Sequence, residues 1–163
     1  MKLPFSLIVS TFALNVSAQS PLPIDQLPSW AQTSWNALAI KESLEVSTRL
    51  NPFVWRGDFD GDGQSDLVLF VMNTKTKKEG IAFLLRAGSK VKILGAGKLF
   101  GNGGDDFSWV DIWFVEDRGT LQSSYYDKHV RLSVDGLIVA KEGSASALIY
   151  FQSGKPKWQQ QGD

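Results

Sequence analysis

The chain has 163 residues, 17 basic and 17 acidic, with no cysteine and six tryptophans. The missing cysteines exclude disulfides, thiolate catalysis and cysteine-bound zinc or iron–sulfur sites. Balanced charge without a Lys/Arg block speaks against nucleic acid as a partner, and a hydrophobic share of 43 % excludes a disordered adaptor.

In chain order, the start reads as an export signal. Lys2 precedes a largely apolar run over residues 3–14, and Val16-Ser17-Ala18 stands before Gln19. A basic start, an apolar segment and a small-residue cut site predict a signal peptide over residues 1–18, removed after Ala18. The apolar run is too short and interrupted to span a bilayer, so no integral membrane segment is expected after removal. The expected location is periplasmic or secreted. Residues 19–28 form a proline-rich lead, and residues 29–163 are expected to make a single globular domain.

Ser29 offers an N-cap, and Ala31, Trp35 and Leu38 follow at helical spacing, which predicts one helix from Trp30 to about Glu45. Trp30, Ala37 and Leu44 share a neighbouring face that Ser34 and Lys41 interrupt. Residues 46–50 read as extended, Asn51-Pro52 as a turn, and Phe53-Val54-Trp55 as a strand entering the stretch with the densest chemistry.

That stretch is Gly57-Asp58-Phe59-Asp60-Gly61-Asp62-Gly63-Gln64-Ser65-Asp66-Leu67. Asp58, Asp60, Asp62 and Asp66 fall at the first, third, fifth and ninth positions, where they repel one another unless a cation sits among them. Hard oxygens at alternating positions suit Ca2+, with Gly63 allowing a sharp turn and Gln64 able to add its backbone carbonyl. A helix-flanked calcium loop has a bidentate Glu at its twelfth position; Leu69 stands there, so Asp66 is the expected closing ligand and a strand the expected exit. The segment resembles the calcium loop of FG-GAP and VCBS-type repeats, found in integrin-like β-propellers and many secreted bacterial proteins. The resemblance implies that Asp58, Asp60, Asp62 and Asp66 hold calcium between two strands. The motif occurs once, and a propeller needs repeated blades, so the resemblance covers the loop and not a propeller.

Residues 67–72 leave the loop as an apolar strand and residues 81–86 return, which makes 66–86 an antiparallel hairpin with Lys75, Lys77 and Lys78 at its solvated tip. Residues 90–94 alternate as a strand with one wet face. Five glycines lie within 95–104, but Lys98 is followed by Leu99 rather than Ser or Thr, so this is an irregular loop and not a phosphate cradle. Asp105 and Asp106 lack the spacing of the first site but are candidates for a second cation. Residues 107–116 read as one long strand, with Phe107, Trp109, Asp111, Trp113 and Val115 on one face and a largely apolar opposite face, hence central in a sheet. Tyr125 and Tyr126 are expected at a rim, and His129, the one histidine, at the surface. Further strands are expected near 129–134, 137–140, 147–151 and 157–161, the last closing the fold or lying at a sheet edge. The 101–109 segment and the 158–163 tail also resemble short exported bacterial proteins, which implies nothing about activity.

The expected fold is α+β: one N-terminal helix packed on or beside a mostly antiparallel sheet of about eight strands, with a calcium-binding β-loop-β. The expected function is an exported, calcium-stabilised, non-catalytic domain that binds a protein or glycan of the cell envelope, an inhibitor-like protein being one form. Its recognition surface is expected from Asp105, Asp106, Trp109, Asp111, Trp113, Tyr125 and Tyr126. The alternatives are an envelope-assembly component, or a glycan or phosphoester hydrolase in which two of Asp105, Asp106, Asp111 and Glu116 face each other at about 5 to 9 Å.

Overall fold

Helix α1 (Ser29–Glu42) follows a 3-10 turn (Pro23–Gln26) in the computed structural model, which describes residues 23–123 and 129–162. Pro28 takes the N-cap position, and its carbonyl accepts the N–H groups of Ala31 and Gln32, so Ser29 is the first helical residue rather than the cap. The helix stops at Ser43, which turns left-handed at φ 56° and donates its N–H to the Ala39 carbonyl. Leu44, expected on the helix, instead begins a strand. Ala31 and Trp35 are buried as the spacing predicts. The polar interruption at Ser34 is also buried, its hydroxyl donating to the Trp30 carbonyl one turn back.

Eleven strands follow among the described residues: β1 (Leu44–Val46), β2 (Val54–Gly57), β3 (Asp66–Asn73), β4 (Glu79–Leu85), β5 (Lys90–Gly95), β6 (Ile112–Glu116), β7 (Leu121–Gln122), β8 (Val130–Arg131), β9 (Gly136–Ala140), β10 (Ser146–Gln152) and β11 (Lys155–Gly162). All pairings are antiparallel. In the first sheet β3, β4 and β5 run in sequence, while β1 and β2 share the other side of β3, β1 against Val71, Met72 and Asn73 and β2 from Asp66 to Leu69. The second sheet has the order β11-β10-β9-β6, and β7 pairs with β8 in a small ribbon. The described strands form no closed barrel or propeller, and no helix among the described residues is long and apolar enough to cross a membrane.

The continuous apolar run of β3 is explained by its place in the middle layer. Leu67, Leu69 and Val71, with Ala82 and Leu84 of β4, pack on Ala31 and Trp35 of the helix. Val68 and Phe70, with Ile81 and Phe83, face the second sheet and meet Trp113, Val139, Ile149 and Phe151. The order is therefore helix, sheet, sheet, with a smaller apolar cluster of Leu132, Ile138 and Leu148.

One strand departs from expectation. Residues 107–116 are not a single central strand: only 112–116 pair, on one side, with β9, at the edge of the second sheet. Asp106 is the cause, because its Oδ1 accepts both the Glu79 and the Ser108 N–H, 3.0 Å each, and turns the backbone before a strand can start. Phe107 and Val110 are buried by that turn, their backbones joined by Val110 N–H to Phe107 carbonyl, while Ile112 and Phe114 remain exposed at 44 % and 40 %. The signal-peptide expectation and Tyr125 and Tyr126 lie outside the described residues.

Candidate metal centre and aromatic pocket

The aspartate loop joins β2 to β3, and its ends are held together by the pairing of Gly57 with Asp66. Phe59 points inward, fully buried, its ring edge-to-face on Phe83 with centroids 5.1 Å apart. Burying a phenylalanine contributes roughly 1.5–3 kcal/mol, enough to offset much of the repulsion among the carboxylates it draws together. Asp58, Asp60 and Asp66 each bring one oxygen within 4.8 Å of the others. Oxygens held by one Ca2+ at 2.3–2.6 Å can be no more than about 5 Å apart, so these three donors fit a single hard cation.

Each carboxylate is positioned by backbone amides. Asp58, 6 % exposed, accepts from Gly61 N–H at Oδ1 (2.8 Å) and from Gly63 N–H at Oδ2 (3.1 Å). Those bonds curl the chain through φ of 82° at Gly61 and 81° at Gly63, a region that favours glycine. Asp66, with no exposure, accepts Phe59 N–H at Oδ2 (3.0 Å) and Arg86 N–H at Oδ1 (2.7 Å). Burial nevertheless pushes its carboxyl up to about 6, with the Asp60 charge adding to the rise. Burial also raises Asp60, helped by the charges of Asp62 and Asp58. Asp62 and Gln64, expected as ligands, are exposed: the Asp62 carboxylate is not among the three that converge and accepts the Gln64 N–H (2.7 Å) and side-chain amide (2.8 Å).

Two residues that sequence reasoning missed complete the surroundings. The Asp135 carboxylate accepts the Asp58 N–H at 2.7 Å, and Arg118 places Nη1 3.1 Å from Asp58 Oδ2. Both line a shallow pocket of about 280 Å³ beside Arg56, Gly63 and Gln64. Asp135 was legible only as part of a turn before Gly136, since its partner lies 77 residues away.

Among the described residues, those expected to form the recognition surface do not gather on one face. Trp113 is core: it is 4 % exposed, packs edge-on to Phe70, and donates its indole N–H to the Pro52 carbonyl at 2.8 Å. Asp105 is ion-paired with Lys78, and Asp106 is occupied with backbone amides that hold its pKa below the ordinary value despite its burial. Asp111 is exposed and accepts the Glu142 N–H at 3.4 Å. As for a hydrolytic pair, Asp111 and Glu116 bracket an extended strand and stand roughly 16 Å apart along it, beyond the acid–base separation of glycosidases. His129 is exposed.

Trp109 belongs to a different constellation. Its ring meets Trp158 with centroids 6.4 Å apart at 70°, and Trp158 also packs on Phe100 and Phe107. Asn102, Gly103, Lys141, Ala145 and Gln160 join the two tryptophans around a pocket of about 250 Å³. Besides the nearby Phe107 and Gly103, Trp109 meets Trp158 from the far end of the chain, so its place in the pocket was not readable from spacing.

No family model, no curated protein and no solved structure matches this chain. The class that fold and site define is a helix-backed, largely antiparallel β-sheet domain with a loop in which three aspartates converge and are able to coordinate a metal ion, consistent with a generic calcium-binding loop.

Proposed function

We infer that this protein is an exported, non-catalytic binding domain for a protein or glycan of the cell envelope, with Ca2+ as a structural ion held by Asp58, Asp60 and Asp66. The observation that carries the metal reading is the convergence of three carboxylate oxygens, two of them on buried residues, at the junction of β2 and β3. Calcium is favoured over magnesium because it accepts an irregular shell of six to eight oxygens, whereas magnesium demands near-octahedral geometry and keeps its waters. Asp62 joins the shell by giving up the bonds it accepts from the Gln64 backbone N–H and side-chain amide, and the Gln64 carbonyl, which takes no part in those bonds, adds a further oxygen. Export is supported by the order of Lys2, the apolar run and Ala18, and it places the loop where calcium is plentiful.

The ion's work is conformational. Binding only the folded state stabilises by roughly 3 kcal/mol when free ion is a hundredfold above Kd. Calorimetric titration of EDTA-treated protein tests this: one calcium per chain and a higher Tm are expected, both lost in Asp60→Ala. A fully folded protein that takes up no calcium overturns the assignment.

A further inference from the structure

We propose that the pocket between Trp109 and Trp158 is a ligand site for one sugar residue of a glycan, and that this residue bears a carboxylate. The inference deepens the binding-domain reading by naming its site and ligand class, but does not depend on the calcium loop.

The walls of this pocket are unusually fixed. Trp158 lies against the backbone of the glycine-rich loop, where a Cβ on Gly101 would stand 2.4 Å from Trp158 Cγ and one on Gly103 would stand 2.7 Å from Trp158 Cη2. Only residues without a side chain let the ring seat there, which gives those glycines a reason other than phosphate binding. Both indole N–H groups are already used: Trp109 donates to the Gly103 carbonyl at 3.2 Å and Trp158 to Gln160 Oε1 at 3.1 Å. What the two rings present to a ligand is therefore carbon and π surface. The rest of the lining is polar, with the Asn102 amide, the Lys141 ammonium and the Gln160 amide, the last holding one partner at each end: its Oε1 accepts the Trp158 indole N–H and its Nε2 donates to the Gly162 carbonyl at 2.6 Å.

A sugar ring matches this arrangement, since it has an apolar C–H face for the indoles and a margin of hydroxyls for the amides. An aromatic peptide side chain would leave the amides and the ammonium against carbon, and an acidic one would leave the indoles uncovered. The cavity of about 250 Å³ lies below the roughly 300–1,000 Å³ of sites for drug-sized ligands, so it admits one ring of a longer chain. No acidic residue lines the pocket, and Lys141 has no carboxylate partner among the described residues. A carboxylate on the sugar would supply that partner.

The test follows the indole N–H resonances of 15N-labelled full-length protein, in calcium and again in EDTA. The probes are the disaccharide of N-acetylglucosamine and N-acetylmuramic acid, its neutral counterpart diacetylchitobiose, and an acidic tetrapeptide. Saturable shifts of the Trp109 and Trp158 signals are expected with the acidic disaccharide, at least fivefold tighter than with the neutral one. Lys141→Gln, a change at an exposed residue, is expected to bring that ratio close to one, and Trp109→Ala with an unchanged circular dichroism spectrum to abolish the shifts. Absence of shifts with either saccharide, response to the peptide alone, or a ratio unmoved by Lys141→Gln would overturn the proposal. Sugar binding in a protein that takes up no calcium would support this site while removing the metal reading, so the two fail separately.

Discussion

Asp58 and Asp135 are bonded to each other twice across 77 residues: the Asp58 N–H donates to Asp135 Oδ2 at 2.7 Å, and the Asp135 N–H donates to the Asp58 carbonyl at 3.0 Å. The second carboxylate oxygen of Asp135 accepts the Arg118 N–H at 3.1 Å. The entry to the metal loop, on the first sheet, is thereby tied to the turn that starts β9 in the second. Asp135→Ala leaves the Asp58 and Arg118 amides without that acceptor. A stability loss of about 1–3 kcal/mol is expected in urea unfolding, with weaker calcium binding because Asp58 is no longer held. An unchanged midpoint would show that water replaces the carboxylate at no cost.

Arg118 is a cation already present at the site. Its guanidinium is 3.1 Å from Asp58 Oδ2 but its side chain is 57 % exposed, so the ion pair adds little to stability, under about 1 kcal/mol. It does compete with a metal for the same carboxylate. Arg118→Gln is expected to raise calcium affinity severalfold by calorimetry with little change in the metal-free Tm. Lower affinity would mean that the arginine orients Asp58 rather than opposing the ion.

The pH dependence has a defined sign. The Asp66 carboxyl sits at about 6 in the folded protein against an ordinary 3.8, so the native state holds that proton more tightly than the unfolded chain does. The ionised form costs the metal-free fold on the order of 3 kcal/mol above pH 6, and the cost is relieved as pH falls from about 6 toward 4. Asp60 shifts in the same direction, while the lowered Asp106 acts only below the ordinary carboxylate range. In EDTA, the urea midpoint is expected to rise between pH 7 and pH 5. Calcium affinity is expected to fall over the same interval, because a protonated Asp66 is a poor ligand. A metal-free midpoint that is flat or falling from pH 7 to 5 contradicts this account.

A second carboxylate, away from the metal loop, stabilises the join between layers. Glu79 is 7 % exposed and receives Arg49 Nη2 at 2.7 Å and the Ser47 hydroxyl at 3.0 Å, while Arg49 Nη1 reaches the Val110 carbonyl at 2.8 Å. Glu79→Gln leaves the guanidinium half-paired over the Phe70 ring. A loss of roughly 2 kcal/mol is expected in thermal unfolding, with calcium affinity unchanged. A shift in calcium affinity would indicate coupling between this cluster and the loop.

Local spacing made several of these features legible. Alternating aspartates with a glycine turn described the loop, and the apolar run of residues 67–72 described a strand leaving it, because both depend on backbone geometry within a few residues; that this strand is covered on both faces came only from the structure. The 66–86 hairpin followed for the same reason, as did the helix face of Ala31 and Trp35.

What spacing could not reach were contacts made across the fold. Alternation over residues 107–116 suggested one strand until Asp106 captured two amides and turned the chain. The pairing of Asp58 with Asp135, the approach of Arg118, and the closure of Trp158 over the glycine loop join residues that share no period or motif. The sequence alone determined which groups the aspartate loop offers and which way its neighbours lie. Tertiary packing decided which of them meet, because burying apolar side chains between two sheets sets the register of the strands and so the place of each loop they carry.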